Sequence, residues 1–276
     1  MRALLTNDDG IRAPGIKALH AAVRDRFDEL LVVAPLTVQS ATSHGVTFSQ
    51  PLMAREVRFD PDLDPPGVGT AVDGRPADCT KLGLTNLWPD RFGEGARPDL
   101  VLSGMNMGAN VGINVIYSGT VAAAIEAAFL GVPAIAVSLH LGRGTADYAA
   151  AATHAAHAID RVLAAGPLEP HTCININVPR CEVEDGDARF ETPPLAICPM
   201  NVHALVDRYE RRESPSGETY YWAAGSGLDF HGADEGTDVP ALFDRCITVT
   251  PLTYDLTAHP ALDVWTRKLL ADGAAR

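Results

Sequence analysis

The chain has 276 residues, 46% of them hydrophobic and 21% charged, which is enough apolar material to bury the core of one large α/β domain and too much for a disordered chain. A formal net charge of −13 creates a field that repels nucleic acid polymers and anionic membrane surfaces, while leaving room for a small phosphorylated ligand bridged by a cation. The five cysteines are scattered without a C-x-x-C pair, which argues against a zinc or redox site and predicts a reducing, cytoplasmic setting.

In chain order, residues 2–6 read as a short apolar strand. Residues 14–24 read as a helix with Ile16, Leu19, Ala22 and Val23 on one face, and residues 29–34 as a second strand, so the chain opens with a βαβ unit. A strand is expected at 99–103, an alanine-rich helix at 118–129 stopped by Gly131 and Pro133, and a strand at 134–139. A second alanine-rich helix at 147–164 precedes a strand at 173–178. Strands apolar on both faces and separated by helices predict a mostly parallel sheet covered on both sides. The N-terminus lacks the basic and long apolar regions of an export signal, and no apolar run approaches the length of a membrane span, so neither is expected.

Beyond Pro179 the texture changes, dividing a core over 1–180 from a C-terminal part over 181–276. The stretch YERRESPSGETYYW places a Ser-Pro-Ser-Gly turn between two strand-like arms. An isolated hairpin is marginal in water, so this projecting aromatic one is expected to pack either on its own core or on a second subunit.

Ligands of open α/β sheets bind beyond the carboxyl ends of the strands. Asp8 and Asp9, in LLTNDDGIRAPG, stand just past the first strand. Their mutual repulsion is offset by a cation such as magnesium, manganese or calcium, or the pair belongs to an Asn-Asp-Asp-Gly turn with a helix cap. The segment APLTVQSATSHG opens at the same end of the sheet; Ser40, Thr42 and Ser43 offer oxygens to a metal or phosphate, or form a plain polar loop, and His44 is either an acid/base or a structural residue. The most informative stretch is SGMNMGANVGINVIYSGTVAAAIEAA. Glycines at 104, 108 and 112 let backbone approach a ligand, asparagines at 106, 110 and 114 supply amide groups, and Ser118-Gly119-Thr120 opens a helix whose unpaired N–H groups suit a phosphate. No Walker lysine motif, dinucleotide glycine fingerprint or D-x-D-x-T signature is present, and the only lysines are Lys17, Lys81 and Lys268. What remains is a metal-assisted phosphate site made of strand-end loops.

These residues resemble the SurE survival-protein family of nucleotidases, metal-dependent phosphatases of nucleoside monophosphates. The resemblance runs through LLTNDDGIRAPGI, VVAPLTVQSATSHGVTF, DGRPADCTKLGL, the block from Pro98 to Leu139, SPSGETYYW and TDVPALFDRCITVTPLTYDLT. It implies that Asp8, Asp9, Ser40 and Asn106 hold one divalent cation per subunit, Mg2+ or Mn2+, and that Asn110, Ser118, Gly119 and Thr120 face the phosphate. It further implies a Rossmann-like core over 1–180 and a homodimer or homotetramer in which the hairpin and C-terminal segment of 181–276 reach a neighbouring subunit. The expected reaction is hydrolysis of nucleoside 5′- and 3′-monophosphates, with Asp9 also accepting a proton from water. The rival readings are a non-catalytic nucleotide sensor and a phosphatase preferring short polyphosphate or sugar phosphates. Two departures bear on substrate preference: the family's D-R-N-R-S-G loop reads Leu36-Thr37-Val38-Gln39-Ser40-Ala41, losing two basic groups, and the usual threonine of G-T-P is Arg75, which either restores positive charge or faces solvent.

Overall fold

In the computed structural model, which describes residues 1–225 and 227–270, the apolar run after Met1 forms strand β1 (Arg2–Thr6). Helix α1 (Pro14–Val23) starts on a proline, whose missing N–H costs nothing in a first turn, and buries Ile16, Leu19 and Val23. It leads to β2 (Glu29–Pro35), which pairs parallel to β1 and completes the expected βαβ opening. An antiparallel pair, β3 (Ala54–Asp60) and β4 (Gly67–Val72), extends that edge of the sheet, followed by the short helices α2 (Pro76–Leu82) and α3 (Trp88–Phe92). Strand β5 (Leu100–Met107) runs past the expected end at residue 103, with a register shift between Ser103 and Asn106 and a cis peptide at Gly104–Met105, so Asn106 lies on the strand. Then come α4 (Gly119–Phe129), β6 (Ala134–Leu139), α5 (Tyr148–Ala164) and β7 (Cys173–Val178).

The C-terminal part contributes to the core more than its composition suggests. Strands β8 (Leu195–Ile197) and β11 (Ile247–Leu252) join the main sheet, and α6 (Asp238–Phe243) buries Val239 and Leu242. Between them β9 (Arg208–Glu213) and β10 (Thr219–Ala224) form a separate antiparallel pair whose residues are exposed apart from the half-buried Ala224. The rings of Tyr220, Tyr221 and Trp222 therefore do not pack in their own core, the first of the two alternatives for this hairpin. Helix α7 (His259–Leu270) buries none of its residues. The end of the 181–276 segment, residues 271–276, and Ser226 lie outside the described residues.

The sheet order is β3-β4-β2-β1-β5-β6-β7-β11-β8, parallel except at β3-β4 and β7-β11, which makes the architecture a Rossmann-like α/β sandwich. Alternation along a central strand feeds both layers: Ala3 and Leu5 pack with α1 and α5, while Leu4 packs with α2 and α4. The chain leaves β1 toward β2 on one side and returns to β5 on the other. That reversal opens a crevice at the carboxyl ends of β1 and β5. Among the described residues, no helix is long and apolar enough to cross a membrane.

Candidate active site

The crevice is built by three loops tied to one another through their main chains. Past β1, Asn7 Nδ2 donates to the Gly10 carbonyl at 2.9 Å and closes the turn that carries Asp8 and Asp9. Gly10 has a φ of +95°, a left-handed conformation for which glycine carries no steric penalty. The serine loop is pinned to this turn because Gln39 N–H donates to the Asp8 carbonyl at 2.8 Å. Its far end is pinned to the segment before α4: Ser43 N–H donates to the Tyr117 carbonyl at 3.1 Å and Ser43 Oγ to the Ile116 carbonyl at 2.7 Å.

Strand β5 delivers the third group of residues. Met107 N–H donates to Asp9 Oδ2 at 2.8 Å, which fixes that carboxylate and leaves Oδ1 without a donor among the described residues. Asn106 Nδ2 donates to the Gly108 carbonyl at 2.6 Å, so the oxygen of its carboxamide is the end available to a cation. Helix α4 starts against Asp8. Ser118 Oγ caps it by accepting from Val121 N–H at 3.1 Å, and Thr120 Oγ1 donates to Asp8 Oδ1. A Cβ on Gly119 would lie 2.9 Å from Asp8 Cβ and 3.0 Å from Asp8 Oδ2, so only glycine lets the helix start come this close.

The structure brings Asp8, Asp9, Ser40, Asn106, Asn110 and Ser118 together on one pocket of about 400 Å³. Gly119 and Thr120 sit behind it instead, both buried, with the Thr120 hydroxyl engaged by Asp8. Ser118 N–H is likewise engaged, by the Asn114 carbonyl at 3.1 Å. His44 lies outside the pocket, where its Nε2 is 2.7 Å from Glu126 Oε2, with Lys81 Nζ 3.0 Å from Glu126 Oε1. Burial pushes the Glu126 carboxyl up, but these two partners outweigh it and hold the group below its ordinary value. His44 is thus a hydrogen-bond partner of Glu126 in the structure. Arg75 is exposed, with its guanidinium against Gly45, and does not line the pocket.

Electrostatically the pocket is unbalanced. Burial pushes the Asp8 carboxyl up to about 6, with the Asp9 charge adding to it and the Thr120 hydroxyl opposing it. Burial raises Asp9 as well, against the Met107 N–H. No Lys, Arg or His is among the described residues lining the pocket. Two neighbouring carboxylates in such a place are costly without a compensating cation. The donors on offer are two carboxylates, a carboxamide oxygen and a hydroxyl, and no cluster of three His, Cys, Asp or Glu side chains gathers among the described residues. All-oxygen donors of this kind fit a hard divalent ion such as magnesium or manganese.

Some of the wall was not read from the sequence. Met107, Tyr117 and Leu141 expose apolar surface around the polar floor, and Gly227 and Leu228 close the pocket from the C-terminal part. Asp238, fully buried, accepts from Gly112 N–H and from Asn201 N–H at 2.8 Å each, tying the glycine-asparagine loop to α6. Their contribution depends on long-range folding, and no local spacing marks them.

A family model described as Survival protein SurE matches residues 3–196. The chain is similar to the 5′-nucleotidase SurE of Heliobacterium modesticaldum, at 43% identity over 264 residues covering 94% of this chain and 88% of that one. It is similar to the 5′-nucleotidase SurE of Rhodopirellula baltica at 42% identity, covering 95% and 96% of the two chains. The crystal structure of the SurE protein from Aquifex aeolicus superimposes with a TM-score of 0.77 at 34% identity, covering 97% of this chain and 99% of that one. The family model spans well over half of the chain, and relatives match along nearly all of it. The chain belongs to the SurE family.

Proposed function

We propose that the chain is a nucleotidase, a phosphoric monoester hydrolase that releases phosphate from nucleoside 5′- and 3′-monophosphates. The observation that carries this reading is the convergence of two carboxylates, Asp8 buried and Asp9 half-buried, with the Ser40 hydroxyl and the Asn106 carboxamide in a single pocket beside a helix start, with no cationic side chain among its described lining residues. In this reading Asp8, Asp9, Ser40 and Asn106 hold one Mg2+ or Mn2+ ion. When bound, the ion supplies positive charge against the phosphoryl oxygens and favours ionisation of water. Asp8 is oriented for its part by Thr120 from behind. Asp9 Oδ1, which has no donor among the described residues while Oδ2 holds the Met107 N–H, is the atom that accepts a proton from attacking water. Asn110 contacts the phosphate, and the positive end of α4, whose cap Ser118 lines the pocket, favours the phosphate charge from close by. The apolar rim of Met107, Tyr117 and Leu141 accommodates the nucleoside.

We further infer a homodimer or homotetramer. The exposed rings of Tyr220, Tyr221 and Trp222 and the exposed Leu262, Val264 and Trp265 of α7 support contact with a second copy. Five free thiols support a cytoplasmic setting.

The test is phosphate release by metal-stripped protein from a panel of nucleoside 5′- and 3′-monophosphates, sugar phosphates and short polyphosphates, with Mg2+ or Mn2+ restored in parallel. Metal-dependent release that favours nucleotides and is lost in Asp8→Asn is the expected result. Tight nucleotide binding without release would make the chain a sensor, and faster release from sugar phosphates or polyphosphate would reassign its substrate.

A further inference from the structure

Asn110 belongs to neither a helix nor a strand, so its main chain has no ladder to join. Buried peptide groups need partners nonetheless, and here they come from the side chains of β7. Asn110 N–H donates to Asn177 Oδ1 at 2.7 Å, and Asn177 Nδ2 donates back to the Asn110 carbonyl at 3.2 Å. Asn175 Nδ2 donates to the same carbonyl at 2.8 Å. On the neighbouring strand β6, Ser138 stands in register with Asn177, and its Oγ accepts from Asn110 Nδ2 at 2.8 Å.

The residues that do this are ill suited to a merely structural strand. β7 is buried along its whole length and otherwise reads Cys173, Ile174, Ile176 and Val178. Carboxamides at 175 and 177 cost free energy there unless paired. Both donate to the single carbonyl of Asn110, and Asn177 grips that residue from both sides of its α-carbon. The side chain so held is the one that lines the pocket, and Nδ2 has a second hydrogen beyond the one engaged by Ser138. Asn177 itself does not line the pocket.

We propose that Asn177, assisted by Asn175 and Ser138, is a positioning residue for phosphate recognition that acts through Asn110. The proposal rests on the reading that Asn110 contacts the phosphate. Misplacing such a group by about 1 Å costs roughly a hundredfold in rate, so loss of the clamp is expected to be large although the substrate never touches it.

A double-mutant cycle tests this. The inhibition constant of orthophosphate, the kcat and KM for a nucleoside 5′-monophosphate, and Mn2+ affinity would be measured for the wild type, Asn110→Ala, Asn177→Ala and the double variant. Each single substitution is expected to weaken orthophosphate at least tenfold and leave Mn2+ affinity within about twofold, and the double variant to be no weaker than Asn110→Ala. Wild-type orthophosphate affinity in Asn177→Ala, or a loss that multiplies in full with that of Asn110→Ala, would overturn the proposal. Unchanged orthophosphate affinity in Asn110→Ala would instead remove the reading on which it rests. Should Asn177→Ala fail to fold, Ser138→Ala removes one hydroxyl and completes the same cycle: a loss confined to the Asn110-containing background supports the clamp, and no loss refutes it.

Discussion

Asp8 is buried next to a second carboxylate, and among the described residues the one side chain that favours its charged form is Thr120. Replacing it with asparagine removes a charge that is costly in the absence of metal while leaving the shape nearly unchanged. In Asp8→Asn, metal-dependent phosphate release is expected to fall at least about a hundredfold, and the thermal midpoint of metal-free protein to stay level or rise. Calorimetry with and without Mn2+ checks the same point independently, because a ligand that binds only the folded state raises the midpoint in the wild type and not in the variant. Thr120→Val keeps the volume and removes the donor to Asp8. One charge-assisted hydrogen bond is worth roughly 1.5–3 kcal/mol, so Mn2+ affinity should drop by about tenfold or more with secondary structure intact; unaltered affinity would show that Asp8 needs no such support.

At the scale of elements, the site depends on how closely α4 approaches the end of β1. Gly119→Ala places a methyl 2.9 Å from Asp8 Cβ, so the helix start must retreat. Metal-dependent turnover is expected to fall at least tenfold while the circular dichroism spectrum stays native. Helix α5 offers a stability test away from the site. Asp147 caps it by accepting from Ala150 N–H at 3.0 Å, and Arg189 Nε lies 2.8 Å from its other oxygen. The Ala150 N–H, ahead of the Arg189 contact, holds this carboxyl below its ordinary value. A group depressed in this way adds stability that is complete above the unfolded-state carboxylate pKa of about 3.9 and is lost as pH falls through the folded value. Asp147→Ala should therefore cost about 1 kcal/mol near neutral pH, a gap to wild type that closes on acidification below about pH 4. Urea titrations at neutral and acid pH read it directly.

For the whole molecule, the charge of −13 acts on every approach of a phosphorylated substrate. With no cationic side chain among the described residues of the pocket, the long-range field opposes a dianion, and salt screens it over a Debye length of about 8 Å at physiological ionic strength. At fixed saturating metal, kcat/KM for a nucleoside monophosphate is expected to rise as salt increases from low to physiological concentration. A fall would show that local positive charge dominates the encounter. The proposed assembly is tested by replacing Tyr220, Tyr221 and Trp222 with serine. These side chains are exposed in the single chain, so the monomer loses little and the mass measured by sedimentation should drop; an unchanged mass would place the interface elsewhere.

The sequence alone determined the elements whose signals are local. The apolar run of β1, the proline that starts α1, the cap Ser118 and the glycine and proline after α4 each act within a few residues, and the strands and helices form at or near the expected positions. Asp8, Asp9, Ser40, Asn106, Asn110 and Ser118 were legible as candidates because each lies in a polar loop or at a strand end directly after an apolar strand. Less visible was the β3-β4 edge: β3 exposes most of its residues and carries charged ones, so its alternation is weak. Only the tertiary structure decided that Thr120 faces Asp8 rather than the pocket, that His44 pairs with Glu126, and that Asp238, Asn175 and Asn177 hold the glycine-asparagine loop. These contacts join residues 65 to 126 positions apart, separations that no helical or strand period spans. Local propensity places a side chain on an element, but which group it meets there is set by the order in which the strands assemble.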